Sequence, residues 1–100
     1  METQWAKSTQ KHGIPRADAV NATRHPPVWL AQWDAPRVAG GIRPDLFIGP
    51  SVDGQTEIEV MAEVEREGGR IRSLFVFHVM PARSTTRARA RAIHEERKKR

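Results

Sequence analysis

The sequence predicts one α+β domain over residues 1–100: an antiparallel sheet of three to four strands, with two N-terminal helices before it and a basic C-terminal helix after it. Three observations predict this. Glu57 to Glu65 alternates strictly between acidic and apolar residues, apart from Met61 on the acidic side. The dipeptides Asp53-Gly54 and Gly68-Gly69 bracket that run with hairpin turns. An Ala/Arg-rich segment then follows the most apolar stretch of the chain. A length of 100 residues fits one small domain and disfavours a two-domain enzyme with a large cleft.

In chain order, Thr3 to His12 is polar without strand alternation, and Gly13 can stop a helix there. Pro15 suits the first turn of a second helix, whose apolar residues are Ala17, Ala19, Val20 and Ala22. His25-Pro26-Pro27 ends it, because a residue before proline avoids the helical region. Val28 to Trp33 fits a strand or an apolar loop, and the stretch to Gly41 holds too many breakers to assign. Leu46-Phe47-Ile48 leads into the Asp53-Gly54 turn. Arg70 to Met80 reads as a central strand, since Leu74-Phe75-Val76-Phe77 is apolar at both parities. Pro81 ends it, and Ser84 or Thr85 can cap a last helix running towards Lys98.

Composition narrows the chemistry. With no cysteine there is no disulfide framework, thiolate metal site or cysteine nucleophile. The four histidines (His12, His25, His78, His94) show no metal-ligand spacing, so neither metal nor cofactor is expected. No apolar run approaches the ~20 residues of a membrane span, and the first residues lack a secretory layout, so a cytoplasmic protein is expected. Residues 1–80 carry 9 Lys/Arg against 10 Asp/Glu, whereas residues 81–100 carry 8 against 2. The basic excess therefore sits at the C-terminal end, where it suits phosphates, an acidic partner or plain solvation.

Register arithmetic locates a face. With Gly68-Gly69 as turn residues His78 lies opposite Glu59, and with a four-residue loop it lies opposite Glu57. Either register sets Ile58, Val60, Ala62 and Val64 in the core with Ile71, Phe75, Phe77 and Val79. The other face joins Glu57, Glu59, Glu63 and Glu65 to Arg70, Arg72 and His78, and the Asp53-Gly54 hairpin adds Ile48 beside Glu59. Cross-strand Glu–Arg pairs near a turn are ordinarily solvated neighbours. His78 differs, because it sits beside a carboxylate at the inner end of an apolar strand.

Lys11-His12-Gly13-Ile14, followed by an Ala/Val helix and the His25-Pro26 break, resembles the early segment of BrnT-type toxins. Gly69-Arg70-Ile71-Arg72 and Pro81-Ala82-Arg83-Ser84-Thr85-Thr86-Arg87 resemble that family's strand-to-helix signature. Pro81 stands where the family has serine, and residues 28–45 match nothing in it. The resemblance implies a RelE-like fold and a toxin that cleaves RNA and blocks translation. It also implies neutralisation by an antitoxin with a ribbon-helix-helix domain. RNA, free or on the ribosome, is the expected substrate.

Metal-free RNA cleavage needs a base for the 2′-OH, cationic stabilisation of the phosphorane and an acid for the 5′-oxygen. Glu59, His78 and His12 are the candidates for proton transfer, and Arg72 and Arg83 for the phosphate clamp. Arg83, Arg87 and Arg91 recur every four residues, a stripe that suits RNA phosphates or an acidic antitoxin; Lys11, Arg87 and Arg91 are the expected RNA contacts. The alternative is a non-catalytic module of the same fold that binds nucleic acid or a protein partner.

Overall fold

A computed structural model describes residues 2–99. The strands are β1 (Glu2–Trp5), β2 (Val28–Leu30), β3 (Asp45–Pro50), β4 (Glu57–Glu67) and β5 (Arg70–Pro81); the helices are α1 (Arg16–Arg24) and α2 (Ser84–Lys98). The five strands form one mixed sheet in the order β1-β5-β4-β3-β2. This corrects the expected RelE-like arrangement of a three- to four-stranded antiparallel sheet behind two N-terminal helices. Only α1 is a helix of the expected N-terminal pair.

The residues expected to form the first helix instead make β1 and a 3-10 turn, Lys7–Gln10. Local hydrogen bonding explains the turn: the Thr9 hydroxyl donates to the Ala6 carbonyl at 2.7 Å, competing with helical continuation. The Ser8 hydroxyl donates to the Phe77 carbonyl at 2.8 Å, and the Ala6 amide to the Val76 carbonyl at 2.8 Å. Those two bonds tie the turn to β5. β1 itself runs parallel to β5, with Glu2 opposite Ser73 and Trp5 opposite Val76. Its polar residues alternate between exposed and half-buried, so its place rests on backbone pairing and on Trp5 packing against the core.

The β3–β4 hairpin has Leu46 opposite Met61 and Ile48 opposite Glu59, with Gly54 in the left-handed region (φ 75°) of its connecting loop. Between β4 and β5 the ladder begins with Glu67 opposite Arg70 at the Gly68-Gly69 turn, then slips twice. Arg72 and Phe77 are the extra residues on β5. Each bulge inverts the side-chain parity, so the two cancel beyond Phe77. As a result His78 lies opposite Met61, two residues beyond Glu59, and still shares the face of Glu59. Between the bulges the parity stays inverted. Leu74 and Val76 therefore enter the core with Val60, Ala62 and Val64. Phe75 and Phe77, expected in the core, lie under Arg37 instead, whose guanidinium is 5.3 Å and 4.3 Å from their ring centroids.

One face of the sheet packs α1 through Ala19 and Ala22 against Phe47 and Val60. The approach is close at Gly49, where a Cβ would come within 2.5 Å of the Ala22 carbonyl oxygen. The other face packs Ala90 of α2 against Leu30, Trp33, Leu46 and Ile48. No helix among the described residues is long and apolar enough to cross a membrane.

Candidate functional site

The site grows from one buried carboxylate. The alternation of β4 turns Glu59 onto the α2 face, where its side chain is 0% exposed. A carboxylate so placed must be saturated with donors. The Arg83 amide donates to Oε1 at 2.8 Å and Arg83 Nη2 to Oε2 at 2.8 Å, while Nε lies 3.2 Å from both oxygens. His78 Nε2 lies 2.7 Å from Oε2. Thr86, on the first turn of α2, adds a weaker polar contact.

Burial pushes the Glu59 carboxyl up, but the hydrogen bonds from His78 and Arg83, with the Thr86 contact, outweigh it and hold the group at about 2. Glu59 is therefore ionised at neutral pH and fully engaged. This removes it from the candidate bases and makes it the residue that positions its donors. It also anchors the start of α2. Arg83 is the residue before the first turn, and its side chain caps nothing, nor do Ser84 or Thr85 occupy that place. The negative charge beside the helix N-terminus is favourable in itself.

Because an ionised carboxylate only accepts, His78 must carry a proton on Nε2, which leaves Nδ1 as the nitrogen not engaged with Glu59. Arg83 commits Nε and Nη2 to Glu59 and keeps the Nη1 donors available. Both side chains are partly open to solvent.

His78 and Arg83 line a cleft of about 370 Å³ together with Ser8, Lys11 and His12. The bonds from Ala6 and Ser8 to β5 are what bring Lys11 and His12 there. On the other side of the same two residues, a second cleft of about 370 Å³ is walled by Trp33, Asp34, Thr85 and Arg89. Arg89 bonds Asp34 at 2.9 Å, holding that carboxyl below the usual range, and stacks over Trp33 at 4.5 Å. Nothing in the sequence marks these contacts, since Asp34 and Arg89 are 55 residues apart. Thr86 was legible in principle, because it lies three residues after Arg83.

The remaining expected residues lie elsewhere. Arg72 is the bulged residue near the turn, 68% exposed and 3.6 Å from Glu67. Six steps along the strand separate it from His78, roughly 20 Å. It cannot clamp the same phosphate. Arg87 pairs with Glu57 at 2.7 Å, and with Arg91 it lines a different groove. No cluster of three or more potential metal ligands occurs among the described residues. No family model, curated protein or solved structure matches the chain.

Proposed function

We propose that this protein is a metal-independent endoribonuclease, the toxin of a toxin–antitoxin pair of the BrnT kind, which stops translation by cutting RNA. The observation that supports this reading is the convergence of Lys11, His12, His78 and Arg83 on one cleft from segments far apart in the chain. Two imidazoles and two cations can supply the base, the acid and the cationic stabilisation that transesterification at phosphate needs. One imidazole, His78 through Nδ1 or His12, takes the proton of the 2′-OH as that oxygen attacks phosphorus. The other protonates the 5′-oxygen as its bond to phosphorus breaks, leaving a 2′,3′-cyclic phosphate and a 5′-hydroxyl. Arg83 Nη1 and Lys11 stabilise the charge gathering on the phosphoryl oxygens. The partner in this reading is a ribbon-helix-helix antitoxin.

The test combines inducible expression with RNA cleavage by purified protein in a chelator. Growth arrest and cyclic-phosphate ends are expected, and His12→Ala and His78→Ala should each slow cleavage about 10²–10⁴-fold. RNA binding that weakens steeply with salt but yields no cleavage products would favour the non-catalytic module instead. Unimpaired growth at good soluble expression overturns the toxin assignment.

A further inference from the structure

A groove of about 320 Å³ runs between β2 and α2, separate from both clefts at His78. Its floor is aliphatic: Val28 and Leu30 of β2, Ile48 of β3 and Ala90 of α2. Its rim is basic, formed by Arg87, Arg91 and His94, which share one stripe of α2. Arg87 already pairs with Glu57, but both side chains are half-exposed; Arg91 and His94 have no ion-pair partner among the described residues. β2 is the outermost strand, and among the described residues no strand pairs with its outer edge.

We infer that this groove binds an extended acidic segment of a partner protein, which adds a sixth strand to β2. Strand addition supplies backbone hydrogen bonds along an open edge, and the two-residue period sends alternate side chains to one face. Apolar side chains at those positions enter the groove above Leu30 and Ile48. Carboxylates on the segment meet Arg91, His94 and the exchangeable Arg87. Charge complementarity selects the occupant, since the basic rim belongs to the only strongly cationic part of the chain. A protein fits better than RNA because the groove's lining is mainly aliphatic, and the ring of Trp29, the one aromatic residue in that lining, is engaged elsewhere. Trp29 points the other way, stacking on Phe47 with centroids 5.6 Å apart.

The inference does not depend on ribonuclease activity, and cleavage plays no part in its test. Isotope-labelled full-length protein is titrated with an eight-residue peptide alternating leucine and glutamate. A glutamine counterpart and a single-stranded RNA octamer serve as controls. Saturable amide shifts are expected over residues 28–30 and 87–94, with the glutamine peptide markedly weaker. The double substitution Arg91→Glu, His94→Glu, both on the helix surface, should weaken the acidic peptide about tenfold while leaving the protein folded. No shift at β2 at millimolar peptide, or equal binding by the glutamine peptide, overturns the proposal. So does RNA shifting the same amides at lower concentration than the acidic peptide.

Discussion

Two carboxylates on neighbouring strands are wholly buried, Glu59 on β4 and Asp45 on β3, and they serve different ends. Asp45 faces the α1 side. It accepts the Trp29 indole N–H at 2.9 Å, the Gln32 amide at 2.9 Å and the Arg66 guanidinium. Those donors fix the loop after β2, including Gln32 in the left-handed region at φ 50°, a conformation that costs free energy for a non-glycine residue. Glu59 faces the α2 side, and its donors are His78 and Arg83, which both border open clefts. A saturated buried charge does no chemistry itself. What it contributes depends on where the other ends of its donors point.

The largest expected effects test that contrast directly. Glu59→Gln and Asp45→Asn each leave an arginine without its buried anion, and each should cost about 3–5 kcal/mol in denaturant unfolding. Only Glu59→Gln should also abolish cleavage by the molecules that remain folded. Equal loss of specific activity in both variants would erase the distinction.

Acid sharpens it further. Glu59 has a folded pKa of about 2 against an ordinary value of 4.5. Its stabilisation is thus complete above pH 4.5 and lost as pH falls from there towards 2. The loss is about 3 kcal/mol, and the Glu59→Gln variant should lack that part of the acid limb. Denaturant midpoints measured between pH 7 and pH 2 check this.

Gly49 probes the α1 side. A methyl group there meets Ala22 backbone, so Gly49→Ala should cost about 1–3 kcal/mol by displacing α1, with cleavage per folded molecule unchanged. Thermal unfolding and active-site titration would separate the two. The smallest effect belongs to Arg72→Ala, at the exposed turn end of β5. It should alter stability by less than about 0.5 kcal/mol and leave the cleavage rate as it was.

The turns, β4 and most of β5 were legible because glycine dipeptides and a two-residue period are local signals. β1 was not, since three polar residues and Trp5 joining the edge of β5 in parallel leave no hydrophobic period. The bulges at Arg72 and Phe77 were equally silent, and they account for the misplacement of Phe75 and Phe77. The shared face of Glu59 and His78 came through only because two inversions cancel. His12 reaches that face through the 3-10 turn, a long-range arrangement that local pattern cannot express. The saturation of Glu59, which turns a candidate base into a positioning residue, is a property of tertiary contacts alone.

The bond from Ser8 to Phe77 spans 69 positions of the chain. On the ribosome, Lys11 and His12 emerge well before the strand that must receive them. A nascent chain holding the first three-quarters of the sequence has Lys11 and His12 but neither His78 nor Arg83. For the proposed ribonuclease, the cleft would then be completed in a single late step, when β1 closes along β5, and not in proportion to the length translated.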